Sequence, residues 1–283
     1  MNYRHAFHAG NFADVVKHAV LARNIAHLKE KPAAFRVIDT HAGAGVYDLT
    51  GPEAGRTGEW REGVDRLVAA QLAPRVRTLL APYLDAVAAF NPDGTLKVYP
   101  GSPVLAQCWL RLQDRLIACE REPSAAQALA ARLRGDNRVK AVALDGYTAL
   151  NAYVPPKERR GLVLIDPPFE QPDEHDRLAH GLAGAHRKWP TGTYALWYPI
   201  KDAHESERFA RRLARLGIAR MLRAELTLPA KGEERLRGSG LILINPPWRL
   251  ESELGVLLPA LADMLAGAAG RGETRIGWLT GEK

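Results

Sequence analysis

Seven short apolar segments recur along the chain, and stretches with helical patterning separate most of them. They are residues 35–40, 115–120, 138–146, 161–168, 193–200, 223–229 and 240–247. Runs that are apolar at nearly every position are typical of strands buried on both faces of a sheet. Strands that alternate with helices in this way usually form a parallel sheet covered by helices. The pattern therefore predicts an α/β fold with a seven-stranded, mostly parallel sheet.

Four of the predicted strands end in an acidic residue. These residues are Asp39, Glu120, Asp145 and Asp166. The carboxyl ends of parallel strands lie at one edge of the sheet, and ligands of open α/β sheets bind beyond that edge. We therefore expect the four carboxylates to gather on one side of the molecule, around a ligand site.

Residues 48–98 interrupt the alternation of strands and helices after the first strand. Connections in compact α/β domains usually take only a few residues, whereas this stretch carries its own helical spacing of apolar residues. We expect a small helical subdomain, residues 48–98, inserted into one domain that spans residues 1–283. The main domain resumes with a helix whose predicted N-cap is Ser102, with Pro103 at its first helical position.

Composition and charge are ordinary for a globular protein and favour an acidic partner. Of 283 residues, 46% are hydrophobic and 25% are charged, and the net charge is +7. A basic balance suits nucleic acid without specifying its sequence or strandedness. No apolar run approaches the roughly 20 residues of a membrane span, so we expect a cytoplasmic protein that does not enter the membrane. The nine histidines and two cysteines show neither HExxH nor CxxC spacing, so no metal site is expected.

The sequence HAGAG at residues 41–45 follows the first strand and begins the expected ligand site. Small residues let the backbone approach a ligand closely, but alone the loop fits a tight turn equally well. Glu120 is placed to accept both hydroxyls of a ribose, and Asp145, followed by Gly146, is placed to accept an adenine amino group. Because the loop is not GxGxxG, these features favour S-adenosylmethionine over a dinucleotide as the cofactor.

Two strands run into an Asp/Asn-Pro-Pro-aromatic sequence, which is typical of enzymes that methylate an amino nitrogen. DPPF occupies residues 166–169 and NPPW occupies residues 245–248. In this strand order the target base and the methyl donor meet beyond the fourth strand, which DPPF closes. NPPW closes the last strand, which we expect in a hairpin at the far edge of the sheet. Asp166 is therefore the predicted catalytic residue, and NPPW is interpreted as a rigid exit turn with Trp248 on the surface.

The DPPF residues suit the chemistry of an exocyclic amine, whose lone pair is delocalised into the base. The Asp166 carboxylate and the Pro167 carbonyl can accept the two N–H hydrogens and orient the nitrogen, and the carboxylate can take the released proton. Phe169 can stack on an extruded base. The sequence thus predicts catalytic roles for Asp166, Pro167 and Phe169, the last of which also binds substrate.

Six longer blocks carry a more specific resemblance: YRHAFHAGNFADVVKH, DTHAGAG, YPGSP, RRGLVLIDPPFE, YALWYP and SGLILINPPW. They resemble the RlmJ family, bacterial methyltransferases that act on adenine N6 in 23S ribosomal RNA, and the likeness covers essentially the whole chain. It implies a Rossmann-like class I methyltransferase that uses S-adenosylmethionine and releases S-adenosylhomocysteine. The implied substrate is 23S rRNA, protein-free or at an early assembly stage, and we expect a monomer.

The resemblance also implies roles for individual positions. The positions that contact the cofactor in the family correspond here to His18, His41, Ser102, Glu120, Asp145, Gly146 and Asp166. Asp166 is also the implied proton acceptor, and Tyr3 and Lys17 match positions associated with the RNA substrate and activity. The family motif is DPPY, so Phe169 keeps a ring for stacking but lacks the tyrosine hydroxyl.

Alternative interpretations of the same residues remain at this stage. A DNA adenine-N6 or a protein-glutamine N5 methyltransferase would share the cofactor site, although glutamine enzymes usually carry NPPY at the fourth strand. A non-catalytic RNA-binding module would not need four strand-end acids beside an intact DPPF. His18 fits either a cofactor contact or a hydrogen-bonded core histidine. Arg208, Arg212 and Arg215 share one helix face, which either binds RNA or is simply solvated.

Overall fold

The computed structural model describes residues 4–229 and 236–281, so Tyr3 lies outside the described residues. The strands are β1 (Arg36–Asp39), β2 (Val46–Asp48), β3 (Val98–Pro100), β4 (Arg115–Glu120), β5 (Val139–Ala143), β6 (Gly161–Ile165), β7 (Thr193–Ile200), β8 (Met221–Thr227), β9 (Gly238–Ile244) and β10 (Glu273–Thr280). The helices are α1 (Phe12–Lys29), α2 (Pro52–Thr57), α3 (Glu59–Glu62), α4 (Val64–Ala69), α5 (Pro74–Ala89), α6 (Ser102–Trp109), α7 (Pro123–Arg132), α8 (Gly146–Ala152), α9 (Glu174–Lys188), α10 (Ala203–Ala214) and α11 (Leu250–Ala266). Two short 3-10 helices occupy His5–Phe7 and Gly267–Ala269.

Eight strands form one sheet in the order β10-β8-β9-β7-β6-β1-β4-β5, and β2 pairs separately with β3. Strands β7, β6, β1, β4 and β5 are mutually parallel, whereas β9 is antiparallel to both β7 and β8. This is the Rossmann-like arrangement of class I methyltransferases, as predicted. The predicted count of seven strands omitted β10, in which no residue is buried. It therefore lacks the continuous apolar run by which buried strands are recognised.

Helix α1 packs against the sheet and is buried on nearly every side. Val15, Val16 and Ile25 are inaccessible to solvent, and the helix contacts α5, α6 and α11 as well as β6 and β9. Asn11 is its N-cap, as expected, because the Asn11 side chain accepts a hydrogen bond from the Asp14 N–H at 3.0 Å. The first turn of this deeply buried helix therefore lies at a fixed position against the carboxyl ends of the central strands.

Helices α2 to α5 occupy the region between β2 and β3. Leu67, Leu80, Tyr83 and Val87 belong to the same hydrophobic core as α1 and the central strands. The helical character of this region matches expectation. Its status as an inserted subdomain, residues 48–98, stays a prediction, because its apolar residues share the main core.

The position of Ser102 differs from the prediction. Gly101 is the N-cap of α6 and Ser102 is its first residue. The Ser102 hydroxyl donates to Oδ2 of the buried Asp39 at 2.6 Å. Ser102 is therefore the first residue inside the helix, and its side chain turns toward β1 rather than capping its own helix.

The prediction that NPPW lies at the far edge of the sheet was wrong. Strand β9 lies inside the sheet between β7 and β8, and β10 occupies the edge. Because β9 runs antiparallel to β7, with Ile244 opposite Tyr194, residues 245–248 emerge at the end of the sheet opposite to Asp166. Asn245 forms a turn there, and its side-chain amide donates to the carbonyls of Pro190 and Gly192, each at 2.8 Å. Trp248 is 71% exposed, as expected.

The helices give no sign of membrane insertion. Across residues 4–229 and 236–281, none combines the length and the apolar character that a bilayer span requires.

Candidate active site

A cleft of about 1590 Å³ opens beyond the carboxyl ends of β6, β1, β4 and β5. Every predicted site residue in the described part of the chain lines it: Lys17, His18, His41, Ser102, Glu120, Asp145, Gly146, Asp166, Pro167 and Phe169. Of the four strand-end acids, Asp39 lies behind the wall, where it accepts the hydrogen bond from Ser102. Burial raises the Asp39 pKa to about 7. The structure thus brings the predicted residues together in a single site.

The Glu120 carboxylate is held at the cleft wall by two backbone groups. Gly43 N–H donates to Oε2 at 2.8 Å, and Glu122 N–H donates to Oε1 at 2.8 Å. Each oxygen of an ionised carboxylate can accept about two hydrogen bonds, so both retain capacity toward the cleft. This fixed, two-oxygen acceptor suits a pair of neighbouring hydroxyl groups.

Asp145 and Gly146 form a second rigid corner of the cleft. Asp145 is the N-cap of α8, and its Oδ2 accepts from the Thr148 N–H at 3.0 Å. A Cβ atom at position 146 would lie 2.5 Å from both the His41 ring and the Thr40 carbonyl oxygen. Glycine is therefore required here to admit the His41 ring. Burial lowers the His41 pKa to about 4, so the ring is neutral near pH 7.

His18 is both a core residue and a lining residue of the cleft. Its Nδ1 is hydrogen-bonded to the Tyr99 hydroxyl at 2.7 Å, and that hydroxyl is bonded to the Tyr83 hydroxyl at 2.7 Å. Burial lowers the His18 pKa to about 3. Its Nε2 is buried and has no hydrogen-bond partner within the described residues. An orphaned polar atom of this kind is costly unless a ligand satisfies it.

Asp166 follows β6 directly and forms an ion pair with Lys17 on α1. Lys17 also pairs with Asp14, at 2.8 Å. Burial opposes the charge on Lys17, but the two carboxylates outweigh it and hold the lysine pKa well above its usual value. The ammonium therefore stays charged beneath the cleft floor.

Aromatic rings form the wall beside Asp166. The Phe169 ring lies 5.7 Å from the Trp197 ring and 5.3 Å from the His175 ring, measured between centroids. Phe169 has a positive φ of 52°, a conformation that is uncommon for a bulky residue and that often marks functional loops. No hydrogen bond ends on the Pro167 carbonyl within residues 4–229 and 236–281. That oxygen is available to a donor in the cleft.

Several lining residues were not singled out from the sequence as part of the site. Asp14, Tyr147, Arg177 and Trp197 all line the cleft. Trp197 could have been noticed because it lies near the carboxyl end of a predicted strand. In the sequence, Asp14 is recognisable only as an acid in the first turn of a helix. Such acids are common because they interact favourably with the helix dipole, so this position did not indicate a site residue.

Comparisons with known proteins agree on one family. The family model described as Ribosomal RNA large subunit methyltransferase D, RlmJ, matches residues 32–280. Ribosomal RNA large subunit methyltransferase J of Escherichia coli (strain K12) is 41% identical over 283 residues, with 100% of each chain covered. The protein of the same name from Haemophilus influenzae is 38% identical over 284 residues, again with 100% of each covered.

A solved structure is similar over nearly the whole chain. The crystal structure of a Legionella pneumophila protein has a TM-score of 0.89 and 34% sequence identity, covering 98% of this chain and 99% of that chain. The resemblance noted in the sequence is confirmed, and the chain belongs to the RlmJ family of ribosomal RNA large subunit methyltransferases.

Proposed function

We propose that this protein transfers a methyl group from S-adenosylmethionine to N6 of a specific adenine in 23S rRNA. The observation that carries the proposal is the convergence of Glu120, Asp145 and Asp166 on one cleft from the ends of parallel strands. The names of the family and of its relatives support ribosomal RNA as the substrate. We further propose that the protein acts in the cytoplasm, as a monomer, on protein-free or early-assembly RNA.

The residues of the cleft fit the proposed cofactor. Glu120 would accept the two ribose hydroxyls, and Asp145 with Gly146 would hold the adenine. His18, His41 and Ser102 would hold the amino-acid portion, where the orphaned Nε2 of His18 offers a polar contact. When bound, the cofactor supplies a methyl group activated by a sulfonium.

The residues near β6 fit the proposed target. Asp166 and the Pro167 carbonyl would accept the two N–H hydrogens of the adenine amine and so aim its nitrogen. On transfer of the methyl group from sulfur to the amine nitrogen, the S–C bond would break as the N–C bond forms, and Asp166 would accept the proton that the nitrogen loses. Phe169 would stack on the extruded base, and Trp197 supports the phenylalanine ring from the side. Tyr3 matches a family position associated with the RNA substrate and would also contact the RNA.

Cofactor binding gives a first prediction. Glu120→Ala should weaken the affinity for S-adenosylhomocysteine by ~1–3 kcal/mol, because the ribose hydroxyls lose a buried acceptor. Calorimetry measures the change. Glu170→Ala is the matched control, since Glu170 is an exposed carboxylate that lines the same cleft. Equal affinities in the wild type and Glu120→Ala would remove the ribose assignment.

Salt dependence gives a second prediction. Contacts between Arg or Lys and phosphates release condensed counterions, at roughly 0.7 ion per contact on a single strand. Binding of an rRNA fragment should therefore weaken steeply as salt rises, whereas binding of S-adenosylhomocysteine should change little. Titrations of both ligands over a range of salt concentrations give the two slopes. A flat slope for the RNA would argue against nucleic acid as the natural partner.

Labelling from methyl-tritiated S-adenosylmethionine tests the proposed function itself. Protein-free 23S rRNA, DNA and a ribosomal protein mixture are offered separately to the purified enzyme. We expect label in the rRNA alone. Label only in DNA would favour a DNA adenine methyltransferase, and label only in protein would favour a glutamine methyltransferase. RNA binding without labelling of any acceptor would favour a non-catalytic RNA-binding module.

A further inference from the structure

A buried carboxylate that the proposed reaction does not use lies at the floor of the cleft. Asp14, in the first turn of α1, is 1% exposed. Its Oδ1 accepts from the Lys17 ammonium at 2.8 Å. Its Oδ2 contacts His5 Nε2 at 2.9 Å and accepts from the Gly10 N–H at 2.9 Å. Asp14 is therefore the hub of a small polar network that reaches Asp166 through Lys17.

The network has fewer lysine ammonium groups than carboxylates. One ammonium, Lys17, is shared by two carboxylates, Asp14 and Asp166. Burial opposes ionisation of Asp14, but His5 and Lys17 outweigh it and hold the Asp14 pKa well below its usual range. The helix N-terminus favours the same anionic state. Asp14 thus stays charged, and Lys17, Asp14 and Asp166, counted without the His5 ring that contacts Asp14, together carry one negative charge.

Asp166 is the more accessible of the two carboxylates. Its side chain is 15% exposed, whereas the side chains of Lys17 and Asp14 are 6% and 2% exposed. Asp166 therefore presents the acceptor that a ligand in the cleft can reach more readily. The surplus negative charge of the network is therefore available where a target amine would bind.

We infer that Asp14 is a positioning residue. Because the Lys17 ammonium pairs with both Asp14 and Asp166, it holds Asp166 in place without neutralising the charge of the Asp166 carboxylate. The inference rests on the proposed function. If Lys17 paired with Asp166 alone, the positive charge of the ammonium would fully balance the negative charge of that carboxylate. Asp166 would then be a weaker acceptor for the amine hydrogens and for the released proton. Asp14 also fixes the position of the Lys17 side chain, because both residues belong to α1 and the ion pair holds the ammonium against that helix.

A purely structural role for Asp14 has different consequences. It would anchor residues 5–10 to α1 through His5 and Gly10, and its loss would affect folding or ligand binding whether or not Lys17 is present. If Asp14 acts through Lys17, its loss should slow the methyl-transfer step, and this effect should disappear when Lys17 is also removed. A double-mutant cycle separates these two possibilities.

The test measures single-turnover methylation of rRNA by the wild type, Asp14→Asn, Lys17→Met and the double variant. Asp14→Asn should lower the rate constant at saturating ligands by about tenfold or more, with affinities for RNA and S-adenosylhomocysteine within about twofold of the wild type. In the Lys17→Met background the same substitution should change the rate by less than about twofold. Glu253→Gln is the matched control, because Glu253 is a partly buried acid that pairs with another cation of α1, Arg23, at 2.8 Å, outside the cleft. It should retain the wild-type rate.

Three results would overturn the inference. A wild-type rate in Asp14→Asn would show that the charge is not needed. An equal loss of rate with and without Lys17 would assign Asp14 a structural role. Weakened binding with an unchanged rate constant would do the same, and this result decides the matter even if the Lys17→Met variant does not fold. Absence of methylation by the wild type would instead refute the proposed function.

Discussion

Asp166→Ala is expected to abolish methyl transfer while leaving the protein folded. The target amine loses the acceptor that orients it and takes its proton, and general-base contributions of this kind are worth ~10²–10⁴ in rate. The fold should survive because Lys17 keeps its second partner, Asp14, at 2.8 Å. Transfer of labelled methyl groups to rRNA measures the loss, and thermal unfolding checks the fold.

The second Pro-Pro motif supplies the control for this experiment. Asn245→Ala removes two hydrogen bonds from the amide to the carbonyls of Pro190 and Gly192, so it should lower stability. It should not lower the activity of the folded protein, because Asn245 lies at the opposite end of the sheet. Activity that is lost in Asn245→Ala but kept in Asp166→Ala, with both proteins folded, would mean that the catalytic motif has been misassigned.

Lys17→Met is expected to lower the free energy of unfolding by ~3–5 kcal/mol, the usual cost of removing one partner from a buried ion pair. The substitution leaves Asp14 and Asp166 close together without a cation between them, and Asp14 is almost wholly buried. Urea denaturation, followed by far-UV circular dichroism, measures the change.

Lys201→Met is the matched control for that loss of stability. Lys201 also lines the cleft, but it is exposed, so its replacement should change the unfolding free energy by less than about 0.5 kcal/mol. Equal stabilities of Lys17→Met and the wild type would contradict the shared ion pair beneath the cleft floor.

The cofactor side of the site could be predicted from the sequence because each of its acids follows a predominantly apolar run, although β5, which precedes Asp145, is an edge strand with no buried residue. A continuous apolar run indicates a strand with both faces covered, and parallel strands bring their carboxyl ends to one edge. Glu120, Asp145 and Asp166 needed no further information to be placed together. Ser102 was also placed in the cleft, although its hydroxyl binds Asp39 instead of capping α6.

Features that depend on strand direction or on contacts distant in sequence could not be predicted. An apolar run does not reveal the direction of its strand or its place in the sheet. The sequence therefore did not predict that β9 lies inside the sheet, or that NPPW lies at the end of the sheet opposite to Asp166. Strand β10 lacked a buried pattern. Asp14 carried no signal of its own, because its role depends on the packing of α1 against β6, which brings Lys17 to Asp166.

The central claim is that this cleft methylates the exocyclic nitrogen of one adenine in 23S rRNA. The most direct test treats protein-free 23S rRNA, from cells that lack the enzyme, with purified protein and S-adenosylmethionine, then analyses the digested nucleosides by mass spectrometry. The account predicts one N6-methyladenosine per rRNA molecule with the wild type and none with Asp166→Ala. A methyl group on a ribose or on a ring nitrogen, or N6-methyladenosine formed equally by Asp166→Ala, would contradict it.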